Sequence, residues 1–224
     1  KPAHVLDAGR LAALRAFIPE AQRPLQIPGL SLAVVQGGEV VLAEGFGVRQ
    51  LGKRAPVTAD TLFRVASMSK PLTTLLMARL VDEGAFTWDT PVARLLPGFA
   101  LGDADTTNKL TMKYTVCACT GLPRQDLETI FDGAGKTAER MLAGMQRMTP
   151  TTGFGETYQY SNPLVAAGGY IAAHAVRPQE PLNEAFRAVM DAELALATRA
   201  MALGASRQDI YGLAMATPRA APEA

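Results

Sequence analysis

The first stretch with a readable hydrophobic period runs from Val5 to Ala21. Leu6, Leu11, Leu14 and Phe17 recur there at near-helical spacing and predict an amphipathic helix packed on a flatter element. That element follows at once. After a proline-containing link over 23–29, the stretch Leu30 to Gln36 is apolar and rich in valine. Gly37 and Gly38 come next, and Glu39 to Val48 resumes with Val40, Val41 and Leu42. Two β-prone runs joined by Gly-Gly predict a hairpin, because both glycines can take the positive φ of a type I′ turn.

The period then changes. From Ser67 to Gly84, the residues Leu72, Leu75, Leu76, Leu80 and Val81 form one helical stripe, and Gly84 predicts its stop. Two more helices are predicted. Thr137 to Met148 places Met141, Leu142, Met145 and Met148 on one face, and Pro163 to Ala175 uses Leu164, Ala167, Ile171 and Ala175. The links Pro97 to Thr107 and Thr120 to Gly135 are rich in Gly, Asp and Thr and are expected as loops. From Leu182 to Ala224, 13 of 43 residues are alanine, which predicts a helix near Leu182 to Leu203 and a frayed end. Three segments result: a helix and β-hairpin over 1–60, a helical part over 61–181, and an alanine-rich helix with its tail over 182–224.

Composition narrows the functions open to such a chain. Of 224 residues, 48% are hydrophobic and 19% charged, with 22 basic against 21 acidic side chains. That describes a globular protein able to bury a core. The balanced charge argues against nucleic acid or an anionic membrane surface as partner, since such binding leaves a clustered basic excess. Small neutral molecules remain. The best apolar run, Leu164 to Ala173, is broken by Gly168 and Gly169 and falls short of the roughly 20 residues a membrane span needs. Lys1 to Leu6 carries no apolar leader core, so localisation stays open between the cytoplasm and an exported protein already processed. Cys117 and Cys119 are read as small, half-buried thiols. With two distant histidines and no glycine-rich phosphate loop, neither a metal nor a cofactor is expected.

The chemistry concentrates in Phe63-Arg64-Val65-Ala66-Ser67-Met68-Ser69-Lys70-Pro71. Pro71 forbids a helix that begins much earlier, so Ser67 is expected at a helix N-terminus. Lys70, three positions on, returns to the same side, where its amine reaches the serine oxygen and serves as a base toward it. Five serines and six lysines yield about 0.13 Ser-x-x-Lys pairs by chance, so the pair alone is compatible with a serine N-cap and a solvated lysine. The second feature is Tyr160-Ser161-Asn162. Here Asn162 can equally be an N-cap with Pro163 at the first helical position, and Tyr160 a cover for the core. Together, a phenol near the serine and amine can relay a proton, and an amide can hold a carbonyl and the lysine.

Phe63 to Lys70 with Tyr160-Ser161-Asn162 resembles the serine hydrolases grouped with class C β-lactamases, D-alanyl-D-alanine carboxypeptidases and β-lactamase-like esterases. Leu80-Val81-Asp82-Glu83-Gly84 and Thr120-Gly121-Leu122-Pro123 extend the likeness, which covers about Leu30 to Ala175. It implies an α+β fold of the β-lactamase/transpeptidase type: an antiparallel sheet flanked by helices, plus a helical subdomain. It further implies Ser67 as the acylated nucleophile, Lys70 and Tyr160 as proton-transfer partners, and Asn162 as a substrate and lysine contact. The substrates implied are small esters, D-amino-acid peptides or β-lactams, with the esterase and peptidase branches closer than the dedicated β-lactamases.

The family's third motif, Lys-Thr-Gly or His-x-Gly on a late strand, is not found after Asn162. The expectation is therefore a fold without its C-terminal strands, a hairpin with an exposed edge and apolar face, and a coding sequence that continues beyond Ala224. The Ser67 backbone N–H would then stand as a lone oxyanion donor, and loss of one such donor commonly costs 10²- to 10³-fold in rate. The alternatives are a sensor-like penicillin-binding relative that is acylated without turnover, and a helical interaction domain in which both motifs are accidental.

Overall fold

The computed structural model describes residues 5–125 and 137–202. The frayed end expected over 203–224, and the later part of the link expected over 120–135, lie outside the described residues. The chain divides into two compact units, built mainly from 5–65 and 66–198.

In the first unit, the Asp7 carboxylate accepts a hydrogen bond from the Arg10 N–H at 2.9 Å and starts α1, Ala8–Gln22. Its inward stripe is Leu11, Leu14, Ile18 and Gln22; Phe17, expected on that face, is 61% exposed. Steps of three, four and four residues hold one side of a 3.6-residue period, whereas two successive steps of three drift round the helix. β1, Gly29–Gln36, pairs antiparallel with β2, Glu39–Gly47, Gln36 standing opposite Glu39. Gly37 and Gly38 have φ of 62° and 90°, as the turn requires. Val34 faces Leu42 while Val35 faces Val40, so Val41 is the extra residue of a β-bulge. Leu42 is buried, whereas Val35 and Val40 beside the turn are 60% and 54% exposed, the apolar face expected of the hairpin. Among the described residues the sheet has these two strands.

The second unit is helical. A 3₁₀ turn over Ala66–Met68 leads into α2, Ser69–Asp82, with Pro71 in its first turn where no backbone donor is missed. Thr73, Leu76, Met77 and Leu80 are buried, and Leu75, expected in the stripe, is 43% exposed. Gly84 ends the helix with φ 75°: the Gly84 N–H donates to the Val81 carbonyl and the Ala85 N–H to that of Leu80, both at 2.9 Å.

Three short helices follow that the hydrophobic period does not reveal: α3, Val92–Leu95, α4, Ala104–Lys109, and α5, Met112–Val116. None spans two turns, so no stripe can accumulate. Partners distant in sequence hold them, as where the Val92 N–H donates to the Leu110 carbonyl at 3.1 Å and the Met112 N–H to that of Thr90 at 3.0 Å. Part of the link expected over 97–107 is thus helix, with the Asp103 carboxylate accepting from the Thr106 N–H at 2.6 Å. α6, Ala138–Met145, α7, Asn162–Val176, and α8, Leu182–Ala202, complete the unit.

α7 is the central helix, packed against α2, α3, α5 and α6. Leu164, Ala167, Ile171, Ala172 and Ala173 are buried along it. Gly168 and Gly169 let its neighbours approach. A Cβ on Gly168 would stand 2.3 Å from Thr115 Oγ1, and one on Gly169 would stand 2.7 Å from the Phe186 ring and 2.9 Å from Thr73 Cγ2. Arg79 joins α2 to α8, with Nη1 2.6 Å from Glu83 and Nε 2.5 Å from the buried Glu193, the latter contact lying off the N–H axis.

Gly168→Ala forces Thr115 aside and is expected to lower stability by about 1–3 kcal/mol. Gly144→Ala, where a methyl meets nothing closer than 4.0 Å inside α6, is expected to raise it by about 0.5–1 kcal/mol. Thermal unfolding of the two variants beside the parent checks both signs.

Candidate active site

Ser67 sits in the 3₁₀ turn ahead of α2, after Ala66, which has φ 44°. A left-handed alanine costs about 1–2 kcal/mol. It turns the chain sharply, so the serine stands exposed at the mouth of the helix. Lys70 lies in the first turn of α2, and its Nζ donates to Ser67 Oγ at 3.1 Å, as the spacing of three predicts.

Tyr160 and Asn162 arrive from the opposite side, at the start of α7. The sequence allows Asn162 as N-cap of this helix, but the structure gives that place to Ser161, whose Oγ accepts from the Leu164 N–H at 3.4 Å. Ser161 has extended backbone and is buried, so it caps; Asn162 then becomes the first helical residue. Its Oδ1 accepts from Lys70 Nζ at 2.6 Å. Tyr160 completes the cluster: its hydroxyl and Ser67 Oγ are 2.6 Å apart, and Lys70 Nζ lies 4.7 Å from its ring centroid. The four residues singled out in the sequence therefore meet in one place.

The electrostatics single out the tyrosine. Hydrogen bonding to Lys70 and then to Ser67, aided by the positive charges of Lys70 and Arg124, holds the Tyr160 phenol below its ordinary pKa, against desolvation acting the other way. Arg124 carries no motif signal, and its place emerges only from the fold. Its guanidinium carbon lies 5.2 Å from the Tyr160 ring centroid. Beside the cluster a cavity of about 340 Å³ opens, with Lys70 and Asn162 on its wall and Met141, Val165, Tyr170 and Phe186 giving it an apolar lining.

The segment leading to Tyr160 is held by the one leaving α5, and here the structure corrects the cysteines. Cys117 and Cys119 form a disulfide. Their spacing in an extended chain is unfavourable, but Ala118 between them takes φ 54° and brings the two Cα atoms to 5.3 Å. The Ala118 carbonyl accepts the Gln159 N–H and the Cys119 carbonyl the Gly155 N–H, each at 2.7 Å. The Gln159 side chain is fixed in turn by Thr151 and Thr152, both at 3.0 Å. Among the described residues no group of three His, Cys, Asp or Glu side chains is placed to hold a metal ion. No described helix is long and apolar enough to cross a membrane.

The sequence profile of the β-lactamase family matches residues 14–190. The chain is 37% identical over 140 residues to the esterase EstB of Burkholderia gladioli, covering 61% of this chain and 34% of that protein. It is 30% identical over 177 residues to a β-lactamase of Pseudomonas fluorescens, covering 76% of this chain and 47% of that one. Its fold matches the octameric penicillin-binding protein homologue of Pyrococcus abyssi with a TM-score of 0.67 at 24% identity, over 83% of this chain and 43% of that structure. The fold is thus of the β-lactamase/transpeptidase type. The chain spans about a third to a half of the length of these relatives.

Lys70→Met removes the largest influence lowering the Tyr160 pKa, so the phenol is expected to titrate at higher pH, nearer the ordinary value of about 10, with Ser67→Ala giving a smaller rise. Carbon NMR of labelled tyrosine, assigned with Tyr160→Phe, reads this directly. Reducing the disulfide with a dithiol is expected to speed amide exchange at Gly155 and Gln159; unchanged exchange would show that the Ala118 turn holds without the bridge.

Proposed function

We propose, from the premise that this chain belongs to the β-lactamase family, that it is the site-bearing part of a serine acyl hydrolase working through an acyl-enzyme on small esters or amides. The observation that carries this is the 2.6 Å contact between Ser67 Oγ and a tyrosine whose acidity is raised by its neighbours.

Lys70 Nζ donates to Ser67 Oγ and to Asn162 Oδ1, and once Tyr160 is ionised the serine hydroxyl donates to its oxygen. With Tyr160 as the phenolate, the Ser67 proton passes to the phenolate oxygen as Ser67 Oγ attacks the substrate carbonyl. The tetrahedral adduct then collapses, Tyr160 returns the proton to the departing oxygen or nitrogen, and the acyl group stays on Ser67. Water attacks that ester with the same groups accepting and returning the proton, and the acid leaves. Asn162 fixes the lysine, and Lys70, by its hydrogen bond first and its charge second, favours the ionised form of the tyrosine. The Ser67 backbone N–H is the donor we assign to the negative charge that develops on the carbonyl oxygen.

The names of the relatives, an esterase and a β-lactamase, support acyl transfer from oxygen or nitrogen leaving groups. Short-chain esters and D-amino-acid peptides are the substrates we favour, β-lactams coming after them.

A fluorophosphonate probe and a chromogenic short-chain ester test the proposal. Labelling is expected in the parent and lost in Ser67→Ala. In Tyr160→Phe acylation is expected to fall by roughly 10²- to 10⁴-fold. The acylation rate is expected to rise with pH through the Tyr160 pKa, so its limb lies below the pH at which an ordinary tyrosine ionises. Labelling with release of the acid supports the hydrolase, labelling without release supports a penicillin-binding sensor, and a folded chain that takes no label overturns both.

A further inference from the structure

We propose that Arg124 is a positioning residue for Tyr160, its guanidinium lying over the phenol ring to hold the ring, as the anion, against Ser67. This rests on the proposed part of Tyr160 in taking the Ser67 proton.

Three features of the segment 117–125 carry it. The segment is anchored by its interior: Thr120 and Leu122 are 1% and 0% exposed, and Gly121, with φ 81°, runs so close to the 150–152 turn that a Cβ there would stand 2.2 Å from the Thr152 carbonyl oxygen. The Gly121 carbonyl accepts the Thr151 N–H at 2.8 Å. Arg124, two residues past the buried leucine, is therefore delivered to Tyr160 by a fixed stretch of backbone.

Distance and orientation come next. A guanidinium 5.2 Å from a ring centroid is within the roughly 6 Å at which a cation is attracted by an aromatic face. An arginine plane suits that face better than a lysine point charge.

The last feature is chemical. Among the described residues two cations lie by the ring, Lys70 at 4.7 Å and Arg124 at 5.2 Å. The Lys70 amine commits hydrogen bonds to Ser67 and Asn162 beside the ring. A guanidinium cannot be deprotonated in a protein. Arg124 therefore adds a second charge that stays fixed by the ring.

The test uses the whole chain with Arg124→Ala, Arg124→Gln and Arg124→Lys. Tyr160 is titrated by carbon NMR without substrate, and the pH dependence of fluorophosphonate acylation is followed in parallel. Loss of the charge in the alanine and glutamine variants is expected to raise the Tyr160 midpoint by roughly half a pH unit and to slow acylation roughly two- to five-fold at neutral pH. Arg124→Lys is expected to stay nearer the parent than to either. The glutamine variant keeps a flat polar group, so the question survives if the alanine variant folds poorly. A Tyr160 midpoint unmoved in both neutral variants overturns the proposal, as does a lysine variant that behaves like them. Because the titration needs no turnover, a chain that fails to hydrolyse esters while Tyr160 still responds to Arg124 refutes the hydrolase and leaves the contact standing.

Discussion

The separation between α2 and α7 governs the site. Ser67 and Lys70 open the first helix, Tyr160 and Asn162 the second, and bonds of 2.6 Å must close between them. Helices usually lie 8–10 Å apart, the distance set by the side chains at their contact. Here Gly169 sets it, facing Thr73 on α2, where even one methyl would come within 2.9 Å. On the other flank Gly168 admits Thr115, which draws α5 and the Cys117–Cys119 turn against the segment before Tyr160. The glycines that break an apolar run in the sequence are what let two helix ends converge on one hydroxyl.

Around that hydroxyl the charges divide the work. Lys70 touches serine, amide and aromatic ring at once, and Asn162 fixes its direction by accepting from it. The tyrosine gains acidity from hydrogen bonds first and from nearby charge second. Backbone strain sits beside the cluster. Of the three described non-glycine residues with positive φ, Ala66 precedes Ser67 and Ala118 receives the Gln159 N–H next to Tyr160. Such strain persists where the surrounding structure over-determines the conformation.

Much of this was legible in the residues, for local reasons. Spacing of three on a helix dictates the Ser67–Lys70 contact, Gly-Gly dictates the hairpin turn, and Gly84 ends α2 through two hydrogen bonds to carbonyls just behind it. The roles of Tyr160 and Asn162 came from likeness to a family, since no local rule joins them to Ser67, which stands 93 positions before Tyr160. What stayed hidden depends on the fold. α3, α4 and α5 are too short to show a period; Ser161 and Asn162 are both acceptable caps until burial decides between them; the disulfide needs a left-handed alanine that composition does not announce. Phe17 against Ile18, and Leu75 against Leu76, turn on a rotation of less than one residue. Arg124 meets Tyr160 only because Leu122 is buried.

The span of 93 residues between Ser67 and Tyr160 also bears on when the protein becomes reactive. The hairpin needs only its own two glycines and forms locally, on the microsecond scale of isolated hairpins. Tyr160 and Asn162, by contrast, must close a long loop, whose entropic cost is met when α7 docks on α2 and α5 through its own Gly168 and Gly169. A ribosome must release the start of α7 before Tyr160 stands next to Ser67. During synthesis, therefore, the emerging chain carries a serine without its phenol, and the full proton-transfer set is assembled only when α7 packs.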